Sequence, residues 1–375
     1  MRRQEAPAAR FGSYRPDEVT WLLTDLSDVP LEMPTADREE LIQGGRHYFE
    51  MLPVEYQPEP AYQELFHQAL RESAGRLAVA VGLVSELVLE RAPDPDGPVL
   101  VSLARAGTPI GILMRRWFAQ QHGLDVPHYT ISIVRGAGID TVALDHVLTR
   151  HRSDQVRFVD GWTGKGAIAR ELASAVEQYT AARPGAAGLD SELAVLADPG
   201  SCTSLHGTRD DFLIPSACLN STVSGLVSRT VLRDDLIGPG MYHGAKFYSG
   251  LAADDVSGVF LDAVSDCYPA AAPLVRAALP AHRSSDRRPT WQGWDAVRKI
   301  ADEHGIDSLH LVKPGVGETT RVLLRRVPWQ ILVRPDRAAD LEHVLLLAKS
   351  RGVPVVERED LPYTCVGLIR PVGST

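Results

Sequence analysis

Val156-Arg-Phe-Val-Asp160-Gly-Trp-Thr-Gly-Lys-Gly166, followed by Ala167-Ile-Ala-Arg-Glu-Leu-Ala-Ser-Ala-Val176, decides how this chain is read. A short apolar run ends in an aspartate. A loop of glycines with one hydroxyl and one lysine follows, and helical periodicity then begins. A strand that feeds a Gly-rich turn into a helix N-terminus aims free N–H groups and the positive end of the helix dipole at an anion, typically phosphate. Asp160, at the strand tip, can hold what phosphate alone does not explain, such as a sugar hydroxyl or a metal-bound water. The stretch therefore predicts a site for a phosphorylated sugar.

Working outward, the pattern from Pro98 onward alternates strand and helix. Strands are expected at Val99–Leu103, His128–Val134, Val156–Val159 and Leu193–Ala197, with helices at Pro109–Phe118, Thr141–His151 and Gly166–Ala182. Such alternation implies βαβ units and a parallel sheet, with the ligand beyond the C-terminal strand ends. Arg105, Arg135, Asp160 and Asp198 all follow strand ends and are expected to converge on one crevice. Upstream, Glu18–Leu23 and residues 61–91 read as helical. Residues 198–250 are loop-rich, yet Phe212-Leu-Ile-Pro-Ser-Ala-Cys-Leu219 is too apolar for disorder and reads as a segment that builds the site. Ala252–Tyr268 reads as a helix and Pro280–Pro289 as a linker. From Thr290 a second alternating set begins, a small α/β domain; the expected domains are 1–285 and 290–375.

Composition narrows the class. The 375 residues carry a net charge of −9, so no global attraction to nucleic acid or anionic membrane is expected. No apolar run is long enough to span a bilayer, the N-terminus lacks the apolar region of a signal peptide, and the four cysteines form no CxxC pair. A cytoplasmic protein without a protein-held metal is the expectation. A Walker A loop is excluded: Gly164-Lys165 precedes Gly166 rather than Ser or Thr, and Val159 stands where its first glycine belongs. No GxGxxG follows a strand.

The 160–166 loop resembles the PRPP loop of type I phosphoribosyltransferases at Asp160, Thr163, Gly164 and Gly166. It departs at Gly161, where the family has a second acid, and Lys165 is expected to supply phosphate charge instead. Ser102-Leu-Ala-Arg-Ala-Gly-Thr108 resembles the pyrophosphate loop of uracil phosphoribosyltransferases. Residues 11–265 further resemble a branch of this fold found beside tellurite-resistance-type stress operons, through five runs in order: Gly44–Pro53, Ser102–Pro109, His128–Asp140, Phe158–Ile168 and Pro215–Thr230. Some members of that branch are labelled cysteine protease StiP.

The resemblance implies a type I phosphoribosyltransferase-like parallel sheet with a hood, and transfer from PRPP with Mg²⁺, or the reverse phosphorolysis, on a nucleoside-like metabolite. In that reading Asp160, Arg105 and Arg135 are catalytic. Gly161, Trp162, Thr163, Gly164, Lys165 and Gly166 hold the 5′-phosphate, and Ala104, Arg105, Ala106, Gly107 and Thr108 hold pyrophosphate. His47, Tyr48, Glu50, Asp211, Asn220, His243 and Lys246 face the acceptor. The label sets up a rival, a cysteine hydrolase pairing Cys202 with His206 or Cys218 with His243.

In the tail, Gly315-Val-Gly-Glu-Thr-Thr-Arg321 resembles the Gly-x-x-Glu-x-x-basic run of Pelota-like RNA-binding domains, which implies RNA contact through Gly317, Glu318 and Arg321. From Trp291 on, twelve Lys and Arg face eleven Asp and Glu, a net +1 that is no basic patch. A docking or dimerisation module, and hence a homodimer or a non-catalytic RNA-binding scaffold, stands beside the RNA reading.

Overall fold

The computed structural model describes residues 11–34, 47–55, 57–92 and 97–370; Gly44–Arg46 of the first family run lie outside them. Its centre is a six-stranded sheet with every pairing parallel. In chain order its strands are β1 (Thr20–Trp21), β2 (Val99–Leu103), β3 (His128–Ile131), β4 (Val156–Trp162), β5 (Leu193–Ala197) and β6 (His206–Thr208), arranged β1-β3-β2-β4-β5-β6. β2 and β5 are buried at every position, as strands covered on both faces must be.

Helices α1 (Pro60–Glu90), α2 (Gly107–His122) and α3 (Ala167–Ala182) flank this sheet, and α4 (Tyr268–Ser284) packs along α1. One core joins α1, α2 and α4 to one face through Leu77, Val84, Trp117 and Tyr268. A second core packs α3 and the helix Thr141–Leu148 on the other face through Phe158, Leu144 and Leu172. Gly107 sets the approach of α2 to the sheet. A Cβ there would lie 2.3 Å from the Val159 carbonyl oxygen. Gly107→Ala is expected to shift the start of α2 and cost about 1–3 kcal/mol in urea denaturation; an unchanged midpoint would show that the contact gives way.

A C-terminal unit carries its own sheet, β7 (Val312–Pro314), β8 (Pro328–Val333), β9 (Val355–Glu357) and β10 (Cys365–Ile369), in the order β7-β10-β8-β9. Only β8–β9 is parallel. Helices α5 (Gln292–Glu303) and α6 (Val316–Arg325) belong to this unit, and Val297, Ile300, Val312 and Tyr363 form its separate core.

Four sequence expectations change. Glu18–Leu23 is not a helix, because Thr20 and Trp21 extend the sheet beside Tyr129 and Thr130. The His128–Val134 strand breaks after Ile131, and Ile133–Val134 turns away to pair with Gly138–Ile139. Ala252–Tyr268 is a 3-10 turn (Ser249–Asp254) and a helix (Ser257–Ser265) that stops before α4. The linker is shorter than Pro280–Pro289, since α4 runs through Pro280 to Ser284.

Candidate active site

β2 and β4 are neighbours, so their C-terminal ends bring two loops together. From β2 comes Ala104-Arg105-Ala106, joined by a cis Ala104–Arg105 peptide, with α2 beginning at Gly107. From β4 comes Asp160 through Gly166, with α3 beginning at Ala167. Arg105, Ala106, Asp160, Gly161 and Trp162 line a cavity of about 320 Å³. A second cavity of about 620 Å³ shares Ala106, Asp160 and Trp162 and continues along Thr163–Gly166 to Arg135. The structure thus unites the two loops and Arg135, as expected. Thr108 lies behind the loop, fully buried and accepting a hydrogen bond from Thr130.

Asp160 is electrostatically the most unusual group here. Its recorded hydrogen bond comes from the neighbouring Gly161 N–H at 2.7 Å. Burial pushes its carboxyl up to about 7, and that one N–H offsets the shift only in part. A carboxyl that exchanges a proton near neutrality in a cavity is equipped for acid–base work. Arg105 donates to the Val227 carbonyl at 2.8 Å; burial, with Arg321 adding to it, lowers its pKa.

Asp198 does not open onto the crevice. It is fully buried and accepts from the Thr163 hydroxyl, from Cys202 N–H at 2.8 Å, from Thr203 N–H at 3.2 Å and from Arg209. It fixes the loop and does not line it. Lys165 lines the second cavity and donates to the Leu309 carbonyl. Burial, then Lys313, brings its ammonium down to about 8.

The C-terminal unit closes the crevice from the other side, and no local sequence signal announced this. Tyr363 Oη donates to Gly164 O at 3.0 Å, Trp291 N–H to Ser201 O at 2.9 Å, and Arg170 lies 4.0 Å over the Trp294 ring. Asp211, expected to face an acceptor, lines the smaller cavity and also receives Val316 N–H at 2.9 Å and Thr364 N–H at 2.8 Å. Burial raises its carboxyl to about 6. Gly317, Glu318 and Arg321 also line the smaller cavity, and Arg321 donates to Ala217 O at 2.8 Å. The motif expected to meet RNA is turned inward.

Of the other expected acceptor residues, Asn220 lines the smaller cavity. Tyr48 accepts from Arg135 N–H at 3.2 Å and faces Arg229, whose guanidinium is 5.7 Å from its ring centroid. His47 and Glu50 sit on the same short turn, outside both cavities. His243 is bonded to Ser132 at 2.9 Å, and Lys246 is paired with Glu32 at 2.8 Å; neither lines either of the two cavities described above. Among the described residues no cluster of three or more His, Cys, Asp or Glu could hold a metal ion. The carboxyls that line the two cavities, Asp160, Asp211 and Glu318 among them, form no such cluster, so no step is derived through the ion.

The cysteine pairings do not form as expected. Among the described residues both ring nitrogens of buried His206 lack hydrogen-bond partners, so it does not engage Cys202. Cys218 is fully buried in the main core beside Phe212 and Leu219, while His243 is held by Ser132. Cys202 alone adjoins the crevice loop: a Cβ on Gly166 would lie 2.7 Å from its Sγ. Burial and then the Asp198 charge push this thiol up to about 12.

Residues 12–265 match the family model described as tellurite-like stress resistance cysteine protease StiP, and residues 291–371 match the PELOTA RNA binding domain. A protein of Acinetobacter baylyi (strain ATCC 33305 / BD413 / ADP1) named cysteine protease StiP is 34% identical over 375 residues, covering 97% of this chain and 95% of its own. These findings overturn the expectation of a Mg²⁺-dependent phosphoribosyltransferase. Family and relative are both named as a cysteine protease, a hydrolase, and neither name mentions a transferase, PRPP or magnesium. A resemblance of loops is a resemblance of binding geometry and does not fix the reaction. No helix among the described residues is long and apolar enough to cross a membrane.

Proposed function

The chain belongs to the StiP family, and from that premise we propose that it is a cysteine hydrolase working at the interdomain crevice with Cys202 as its nucleophile. The carrying observation is that Cys202, alone of the four cysteines, abuts the loop that lines the crevice. In the docked arrangement this thiol is covered and protonated, so the reading requires the C-terminal unit to move off it. The uncovered thiol loses its proton to solvent and attacks the substrate carbonyl carbon. The C–N bond breaks as Asp160, which lines the cavity, gives a proton to the leaving amine, and water hydrolyses the thioester. The test is cleavage of unfolded casein. Wild type is expected to cleave and to lose activity on alkylation, Cys202→Ser to lose at least about 100-fold, and Cys218→Ser to stay within about threefold. Cleavage by Cys202→Ser at the wild-type rate would remove the assignment.

A second reading concerns the ligand. The type I phosphoribosyltransferase-like arrangement of the first domain is part of this proposal. It is supported by two strand-end loops meeting across β2 and β4, and by Arg105 in the cavity between them without an ion-pair partner among the described residues. That geometry suits a phosphorylated, nucleotide-like small molecule, bound as a substrate part or as an effector.

A further inference from the structure

In Pelota-like sequences the Gly-x-x-Glu-x-x-basic run is expected on an outer surface, where a nucleic-acid backbone can reach it. Here the first domain covers the run. The Asp211 carboxylate occupies the N-terminus of α6 at Val316 N–H, and Arg321 donates through Nε to Ala217 O at 2.8 Å and through Nη2 to Leu219 O at 3.3 Å, which leaves its other N–H groups for the cavity. Gly317 packs so closely that a Cβ would stand 3.0 Å from that of Ala217. A strand of RNA cannot reach these groups without first undocking the unit.

The same residues face the cavity. Arg105, Arg229 and Arg321 bring three guanidiniums to one space of about 320 Å³, with Asp160 and Glu318 beside them. Neither Arg105 nor Arg321 takes part in an ion pair among the described residues; both donate to backbone carbonyls. Guanidiniums that donate to backbone carbonyls beside a part-buried space retain further N–H groups for an anion, and a bidentate guanidinium favours phosphate. Phe212, Ile110 and Leu219 add an apolar wall, and the volume falls at the small-ligand end of the usual pocket range, about 300–1,000 Å³. Glu318 keeps an acceptor for sugar hydroxyls, being ion-paired among the described residues with Lys313 alone, at 3.5 Å.

We propose that Glu318 and Arg321 bind the ligand of the crevice, so that a small phosphorylated, nucleotide-like molecule, and not an RNA strand, is clamped between the two domains. The inference rests on the ligand reading above. Titration calorimetry with adenosine 5′-monophosphate and inorganic phosphate tests it on the full chain, beside a gel shift with a hairpin RNA. Expected results are AMP binding by wild type and at least tenfold weaker AMP binding by Glu318→Ala with phosphate unchanged. Arg321→Ala is expected to weaken both ligands at least tenfold, with partial recovery in Arg321→Lys, and wild type is expected not to shift the hairpin. Among the described residues Glu318 makes no hydrogen bond or ion pair to the first domain, so its variant keeps the docking bonds and separates ligand loss from undocking. AMP bound equally by wild type and both alanine variants would overturn the clamp and leave the ligand reading standing. An Arg321-dependent hairpin shift by wild type would overturn the clamp in favour of RNA. No AMP heat from wild type would overturn the ligand reading itself, and the clamp with it.

Discussion

Replacing Asp160 by asparagine is expected to make the protein more stable at pH 8 by about 2–4 kcal/mol and to leave its stability at pH 4 unchanged, from a carboxyl shift worth about 1.4 kcal/mol per pH unit. The folded-state carboxyl titrates at about 7 against an ordinary value of 3.8. Between those values the folded chain holds a proton that the unfolded chain has released. The stabilising contribution of the protonated form is therefore fully present below about pH 4 and is lost as pH rises to 7. Above 7 both states are ionised, and the whole cost of a charged carboxyl in the crevice remains. Solvent in the open cavity screens that charge, which is why the lower end of the range is the better guide. Asparagine keeps the acceptor for Gly161 N–H and removes the charge. Urea denaturation of both proteins from pH 4 to 8 checks this: the difference should open with pH. Parallel curves would mean that Asp160 ionises normally. The same variant should lose about 100-fold or more in hydrolysis, the usual scale for a proton-transfer group, so stability and activity move in opposite directions, as at a site whose charge is kept for use.

Much of this site was legible because its signals are local. A strand, a Gly-rich turn and a helix start lie within eleven residues in Val156–Gly166, and Ser102–Thr108 repeats the device one strand away. Their adjacency follows from parallel topology, since β2 pairs with β4 along Val99–Ser102 and Val156–Val159. The break at Ser132 was not legible, because apolar residues continue on both sides of it. Neither was β1, a two-residue strand whose existence depends on hydrogen bonds to β3, more than 100 residues away.

The second domain shows the same limit more strongly. Its motif was legible, but the direction it faces was not. That direction is set by Asp211, Ala217, Leu219 and Gly164, which bond partners 100 to 200 residues distant and leave no periodicity in the sequence. The activity was hardest to read. Two phosphate-type loops suggested a reaction, whereas what they physically specify is a binding geometry that several reactions can share. The family match and the position of Cys202 against Gly166 favour hydrolysis over transfer.

Removing the Asp198 carboxylate is expected to be the most destabilising single change at the site, with Asp198→Ala losing about 3–5 kcal/mol as a buried pair broken on one side. Four donors converge on it: the Thr163 hydroxyl, the N–H groups of Cys202 and Thr203, and the guanidinium of Arg209. Alanine leaves Arg209 without its ion-pair partner and buried N–H groups without acceptors. Asp198→Asn keeps one acceptor oxygen and is expected to lose less, about 2–3 kcal/mol, mainly from the lost charge pair. The second consequence concerns the thiol. After burial, the Asp198 charge is the next largest cause holding Cys202 protonated up to about 12. Neutralising it, with Arg209 still present, should lower the thiol pKa. Iodoacetamide alkylation of folded Asp198→Asn should then show its pH profile displaced to lower pH. Simple exposure by loosening would raise the rate at every pH without moving the profile, so the displacement identifies the electrostatic effect. A loss in Asp198→Ala below about 1 kcal/mol, the scale of an ordinary surface pair, would show that water replaces the carboxylate. An unmoved alkylation profile in Asp198→Asn would show that burial alone holds the proton on Cys202, and that opening of the C-terminal unit is the sole route to a reactive thiol.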